Sequence, residues 1–510
     1  MRVLIWHGWL LEGAGSNVYT ARVVEVLRRK GHDVLLLCQE RHPERYPFLD
    51  GWGTVSAGGV SLVRPGVGAR ADGRAVLLRP EIGSVLPVFV YDEYEGFRVK
   101  TFVDLPDAEL HSYLERNVAA LRAAAEWHGP DVMVAGHAVP GPVIARRARG
   151  DGAYVAKIHG SDLEYAVRLQ ERYRLLAAEG LAGARSVVGA SADVLARTVQ
   201  LVPEAAGSTG VVYPGVDVER FRPQGRTAGL TRAAELLAND PGLSAGRPAS
   251  VDDEVRRALR SRDEEGLDRL ALGYDQRAPD PEAPSRLKAL AGWDGPVVGY
   301  IGKFIPQKGV QLLLAALAMA KARPRALVVG FGLWREWLTA LLLALDAGDA
   351  DVVTWLLREM EHPPDLPADA VRGAKGMAGR VTFTGRLDHR YAPEALAALD
   401  VLVVPSVLDE AFAMVTAEGA ATGALPLVAR HSGLAEVAAV LERAVDRPGL
   451  FSFRPGPGSA ARVAEGLDRL LQLPREQREE LRSAVSAEVS TKWTWERTAE
   501  RLLAAAGATT

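Results

Sequence analysis

Short apolar runs rich in β-branched residues alternate with amphipathic stretches along most of the 510-residue chain. That pattern builds parallel sheets covered by helices on both faces. The opening is the clearest case. Residues 3–6 read as a buried strand, 8–15 as a turn-rich loop, and 17–30 as a helix with Tyr19, Val23, Val26 and Leu27 at helical spacing. Gly31 ends it after Arg28, Arg29 and Lys30, which suit a helix's negative end. Further strands are predicted at 34–37, 132–135, 154–158, 186–189 and 210–213. A second series follows at 297–301, 327–330, 381–384, 401–404 and 427–429. Two open α/β domains are therefore expected, joined near 214–223. Such sheets bind ligands beyond the carboxyl ends of their strands, which places the expected site in a cleft between the domains.

Two segments interrupt the second series. Residues 226–292 are rich in Ala, Arg, Asp, Glu and Pro, and Ser250-Val251-Asp252-Asp253 resembles a capping box opening a charged helix to about Leu272. Residues 346–379 are similar in character, broken by Pro363-Pro364. Both read as surface insertions. The stretch from about 41 to 117 carries no interpretable motif; Asp92, Glu93, Tyr94 and Phe97 cluster there in YDEYEGF.

Composition narrows the function. The chain is 48% hydrophobic and 25% charged, and 61 basic residues against 64 acidic ones leave a net charge of −3. That balance argues against a nucleic-acid partner and leaves peripheral membrane contact and oligomeric state open. A lone Cys38 excludes an intrachain disulfide and a paired-cysteine zinc site. No apolar run reaches bilayer length, and the opening strand and turn do not read as a signal peptide, so the expected location is cytoplasmic.

Four local patterns carry candidate chemistry. Gly13-Ala14-Gly15-Ser16-Asn17 lies between a strand and a helix start, where free N–H groups and the helix dipole favour phosphate; it lacks the third glycine of the dinucleotide fingerprint and reads equally as a tight turn. Gly302-Lys303-Phe304-Ile305-Pro306-Gln307-Lys308-Gly309 follows a strand and is expected to open a helix over 307–321. Its two lysines suit a diphosphate, or simply solvent. Asp409 to Glu418 brackets another helix start, and a carboxylate there can accept two sugar hydroxyls side by side or act as a dipole partner. Lys157-Ile158-His159-Gly160-Ser161-Asp162 ends a strand, where an imidazole can donate to a substrate hydroxyl or serve the fold. Asp349-Ala350-Asp351 has the spacing of a metal-binding pair but lies in a charged insertion, and no His/Cys cluster exists, so no metal site is expected.

Taken in order, the Gly loop, HGSD, VVYPGVDVERFRP, GKFIPQKG, VTFTGRLDHR, ALDVLVVPS, EAFAMVTAE and KWTWERTAERLL resemble the retaining family-4 (group 1) glycosyltransferases. The resemblance runs from Arg2 to Leu503 outside the insertions and the 41–117 stretch. It implies the α/β GT-B fold, two Rossmann-like domains facing a cleft. An acceptor-side domain spans 1–214 and a nucleotide-sugar domain 215–492, and a last helix at 493–510 crosses back to the first domain. It also implies the site. Lys303 and Lys308 match the basic pair on the donor's diphosphate, Glu410 the glutamate on the transferred sugar, and Glu418 the one on the ribose hydroxyls. Phe412, Ala413 and Met414 occupy the loop where relatives read Gly-Phe-Gly-Leu, so Ala411 and Ala413 depart from it. His159 matches the histidine beside the reacting sugar, and Gly15 and Ser16 the loop that closes over phosphate and acceptor.

The implied reaction moves a sugar from a nucleoside-diphosphate sugar to an acceptor hydroxyl with retention of configuration. It needs neither cofactor nor metal, because lysines and a helix N-terminus stabilise the leaving diphosphate. The competing readings are a GT-B epimerase or phosphorylase, a degenerate nucleotide-sugar or glycan binder, and, on the Gly13 loop alone, a dinucleotide oxidoreductase.

Overall fold

The computed structural model describes residues 1–64, 73–91 and 94–508; Asp92 and Glu93 lie outside the described residues. The chain divides into two compact units, Met1–Gly215 with Trp493–Thr510, and Val216–Lys492.

The first unit is built on a nine-stranded sheet. Its strands are β1 (Arg2–Trp6), β2 (Asp33–Leu37), β3 (Gly51–Ser56), β4 (Gly59–Arg64), β5 (Arg74–Pro80), β8 (Val132–Gly136), β9 (Val155–Lys157), β10 (Ser186–Gly189) and β11 (Thr209–Val211); β6 (Val85–Val88) and β7 (Arg98–Thr101) pair separately. The order is β11-β10-β9-β8-β1-β2-β5-β3-β4, parallel except for β3 with β4. The chain builds outward from β1 in one direction, then returns to lay β8 on its other side. The β1/β8 boundary is thus a topological switch. Both strands are buried beyond their first residue, as a sheet covered on two faces requires.

The last helix, Trp495–Ala505, belongs to this unit. Thr494 caps it, accepting from Arg497 N, and Trp493 and Trp495 are 2% and 5% exposed. Trp495 meets the Tyr19 ring edge-on at 5.7 Å, and Lys30 pairs with Glu500 at 2.7 Å. Gly215 permits this docking, because a Cβ there would lie 2.3 Å from Trp495 N.

The second unit carries a six-stranded parallel sheet: β12 (Val297–Lys303), β13 (Arg325–Phe331), β14 (Val381–Phe383), β15 (Val401–Val404), β16 (Leu425–Ala429) and β17 (Ser452–Phe453), in the order β14-β13-β12-β15-β16-β17. Its switch lies between β12 and β15.

The two supposed surface insertions are parts of this unit's core. Leu230, Leu237, Val255, Leu267 and Leu287 have no exposed surface, and Val353, Leu356, Val371 and Met377 are buried as well. Their high content of charge and alanine hid this, because one apolar stripe per helix suffices for burial. The expected capping box does not form: Ser250 is itself helical and makes no side-chain cap bond. The helix Val251–Ser261 stops at Arg262, whose φ is +54°, and Asp263 caps a second helix, Glu264–Leu270, through Gly266 N. Asp349 is a cap too, accepting from Asp351 N and Val352 N at the start of Ala350–Glu359. Among the described residues no group of His, Cys, Asp and Glu is arranged to hold a metal, and no helix is long and apolar enough to cross a membrane.

Candidate functional site

In the second unit the candidate residues gather at the β12/β15 switch. Lys303 ends β12. The expected helix from 307 is instead a short turn, Pro306–Lys308, followed by Gly309 at φ +73° and the helix Val310–Met319. Only glycine fits at 309: a Cβ would lie 2.1 Å from the Pro405 carbonyl oxygen. This close approach lays the Lys308 turn against the loop after β15. The Lys308 ammonium pairs with Glu410 Oε1, which also accepts from Ser406 Oγ at 2.9 Å. His431, at the start of Ser432–Ala444, braces the same loop, with Nε2 2.8 Å from the Ser406 carbonyl and Nδ1 3.2 Å from Asp409 Oδ1. Gly433 N donates to the Glu410 carbonyl at 2.9 Å. Glu410 is thus fixed by three elements before any ligand arrives.

Phe412 is buried, and Ala413 takes φ +58° as it opens the helix Met414–Ala421. A left-handed alanine costs about 1 kcal/mol. The alanine replacement therefore preserves the backbone turn that glycine would make freely. No side chain caps this helix, and Thr416 N donates to the Ala413 carbonyl at 2.9 Å in its first turn. Glu418 lies one turn on, with Oε1 3.6 Å from His389 Nε2. Lys303 lies over the Phe331 ring at 5.7 Å, and Arg386 over the same ring at 5.3 Å. Burial, and then the charges of Arg277, Lys308 and Arg386, hold the Lys303 ammonium below its usual pKa.

The remaining candidates lie in the first unit, again at strand ends. His159 follows β9. Its ring is 4.5 Å from that of His137, which follows β8, and 5.4 Å from Tyr19. His137, at φ +68°, also contacts Trp9 at 4.4 Å and Phe89 at 5.0 Å. His7, after β1, bonds Asn17 Oδ1 at 2.9 Å and Thr20 Oγ1 at 3.1 Å. Asp162 holds the turn, accepting from Ala138 N and, at 2.6 Å, from Gly160 N. Lys157 is 1% exposed, its ammonium 4.9 Å over the Tyr19 ring, and burial lowers its pKa to about 7. Gly15 and Ser16 are the first two residues of Gly15–Arg29, which also lacks a side-chain cap.

Burial lowers the pKa of His7 to about 4 and those of His137 and His159 well below their ordinary value. Between pH 6.5 and 4 the unfolded chain therefore binds more protons than the folded one, and stability falls as pH falls through that window. Denaturant unfolding should give a lower midpoint at pH 5 than at pH 7, with a smaller drop in His7→Gln. Equal midpoints at both pH values would contradict the buried neutral cluster.

Sequence reading did not single out His137, Lys157, Arg386 or His389. Each lies at or just beyond a strand's carboxyl end, so the strand-end rule applied to every strand, not only to motifs, would have found them.

This arrangement is a GT-B fold, two Rossmann-like α/β units with candidate groups at the strand ends. Residues 13–220 match the profile described as Glycosyltransferase Family 4, and 357–472 match Glycosyl transferases group 1. The chain belongs to the family-4, group 1 glycosyltransferases.

It is 27% identical over 263 residues to the 2-deoxystreptamine glucosyltransferase of Streptomyces kanamyceticus, covering 51% of this chain and 55% of that one. It is 31% identical over 130 residues to the glycogen synthase of Halorhodospira halophila, covering 26% and 21%. The chain thus spans about half or less of these relatives' lengths. Similar folds are the sucrose-phosphate synthase of Thermosynechococcus elongatus (TM-score 0.57, 18% identity, 98% and 96% coverage) and Anabaena Alr3699/HepE, solved in complex with UDP (0.57, 14%, 99% of both).

Proposed function

We propose that the chain is a retaining glycosyltransferase that takes a sugar from a nucleoside-diphosphate sugar and places it on an acceptor hydroxyl. The observation that carries this reading is the braced Lys308–Glu410–Ser406 cluster beside Lys303 and an uncapped helix N-terminus, all at one topological switch. Lys303 and Lys308 hold the diphosphate and stabilise the charge that grows on it as the glycosidic bond breaks. Met414 and its neighbours add helix N–H groups to that charge. Glu410 accepts from hydroxyls of the transferred sugar, and Glu418 from those of the ribose. His159 contributes a neutral imidazole that can donate to the substrate. In the first unit Gly15 and Ser16 open a helix after β1, and in the second Phe412 and Ala413 shape the backbone beside Glu410. The charge stabilisation is supplied by protein cations, so neither metal nor cofactor is required. A solved relative's complex with UDP supports a nucleotide donor, and the glucosyltransferase relative supports a hexose.

A panel of UDP-, GDP-, ADP- and dTDP-sugars incubated with simple glycoside and aglycone acceptors tests the reading. Release of one nucleoside diphosphate, with a product retaining the donor's anomeric configuration by NMR, is expected. An inverted product would overturn retention, and phosphate-dependent cleavage of free oligosaccharide would favour phosphorolysis. Lys308→Ala should weaken nucleoside-diphosphate binding about 10- to 100-fold, the worth of one charge-assisted hydrogen bond. Calorimetric titration giving wild-type affinity would remove Lys308 from the diphosphate site.

A further inference from the structure

The candidate histidine of the first unit has no polar bond to aim it. Among the described residues no hydrogen bond reaches the His159 ring, and its ring contacts are His137 at 4.5 Å, inclined by 37°, and Tyr19 edge-on at 5.4 Å. The torsion that turns an imidazole about its Cβ–Cγ bond has broad minima, so neighbouring groups decide the plane of the ring. A histidine that serves a ligand is ordinarily aimed by a hydrogen bond to its second nitrogen. At His159 that task falls to packing.

The turn after β8 holds His137 still. His137 N donates to the carbonyl of Lys157, the last residue of β9, at 2.6 Å. Asp162, which has no exposed surface, accepts from Ala138 N and from Gly160 N at 2.6 Å. One carboxylate thus ties the residue after His137 to the residue after His159. His137 is 1% exposed, and its ring lies against Trp9 at 4.4 Å and Phe89 at 5.0 Å. Both neighbours are fixed in turn: Trp9 Nε1 donates to the Pro87 carbonyl at 2.8 Å, and Phe89 stacks on Phe102 at 4.8 Å. Two unfavourable features meet in His137. Its φ of +68° is left-handed, and its Nδ1 is buried without a partner. Such features persist only where the surroundings over-determine them, and they cluster at active sites.

We propose that His137 is a positioning residue, whose locked ring sets the plane of the His159 imidazole and so the direction in which His159 meets the substrate. The inference rests on the reading of His159 given above and adds the group that aims it. With its Nδ1 buried and its ring enclosed by Trp9 and Phe89, His137 acts through His159. His159 is the less buried of the two, so its imidazole is the one within reach of a ligand.

Turnover with the accepted donor, beside calorimetric nucleotide affinities, tests this on wild type, His137→Asn, His159→Ala and the double variant. Asparagine accepts the left-handed turn and removes the ring. His137→Gly, which carries no strain there, is the second variant. His159→Ala should slow transfer about 10- to 100-fold, and His137→Asn about 10-fold by misdirecting the imidazole. In the His159→Ala background either His137 variant should cost no more than about twofold further, because the ring to be aimed is gone. Nucleotide affinity should stay within roughly threefold of wild type throughout, a division that a general loss of structure would not give. An equal loss of turnover in both backgrounds, or unchanged turnover in both His137 variants, overturns the inference and leaves His159 in place. Wild-type turnover in His159→Ala removes His159 from the reaction and the inference with it. No transfer by wild type from any UDP-, GDP-, ADP- or dTDP-sugar brings down the proposed function and this inference together.

Discussion

Replacing Glu410 by alanine is expected to lower glycosyl transfer about 10²- to 10³-fold while leaving the nucleoside-diphosphate dissociation constant within roughly threefold of wild type. The magnitude is that of removing one preorganised polar group from a reacting centre. The preorganisation is visible: Oε1 takes both Lys308 and Ser406, and the backbone is tied to Gly433 and flanked by the His431 brace. A side chain so fixed costs little reorganisation when charge develops on the sugar. Binding of the nucleotide alone depends on the cations, which the substitution leaves in place. Lys308 is 26% exposed, so water can take over the carboxylate's role and the stability loss should be about 1 kcal/mol or less. Glu410→Gln keeps the shape without the charge and should fall between. Steady-state rates with the accepted donor, beside calorimetric affinities, separate the two effects. Equal losses in turnover and nucleotide affinity would make Glu410 a binding residue, and unchanged turnover would remove it from the site.

Glu336→Ala should produce the largest loss of stability, about 3–5 kcal/mol, the usual cost of stripping one partner from a buried ion pair. Glu336 has no exposed surface; its two oxygens take Arg247 at 2.6 and 2.8 Å, and Oε1 also accepts from Tyr274 at 2.7 Å. Its removal leaves Arg247, 2% exposed, with Asp252 at 2.8 Å as its remaining carboxylate. At roughly 2–4 °C per kcal/mol, the melting transition should fall by about 6 °C or more. Glu265→Ala, at an 89% exposed side chain on the same segment, should change stability by no more than about 0.5 kcal/mol. Scanning calorimetry of the pair decides. A Glu336→Ala protein as stable as Glu265→Ala would mean that the 226–292 segment is not clamped as described.

The parts of the fold legible in the sequence are those whose physics is local. Parallel strands buried on both faces, such as residues 132–136 and 401–404, are continuous apolar runs and are found within a residue or two. The strands between 41 and 117 are not. β4 is mostly exposed, and β3 carries Gly51 and Gly53 with a register shift at Trp52/Gly53, so neither shows a clean period. The helix expected from Gln307 begins instead at Val310, because Gly309 must pass beneath a carbonyl that is 96 positions away in sequence. Site residues follow the same division. Lys303, Lys308, Glu410 and Glu418 lie in short motifs at strand ends. The pairing of Lys308 with Glu410, the bracing by His431 and the bridging of Pro279 to Gly385 depend on contacts between distant segments, which no local pattern encodes.

Thermal shift with UDP, GDP, ADP and dTDP on wild type and Lys308→Ala probes the proposed nucleoside-diphosphate site at the β12/β15 switch. A nucleotide at about 100 times its dissociation constant adds roughly 2.7 kcal/mol of stability, enough for a clear rise in the melting temperature. One of the four is expected to raise the wild-type transition, and the rise should be lost in Lys308→Ala. No rise with any of them, or an equal rise in both proteins, would contradict it.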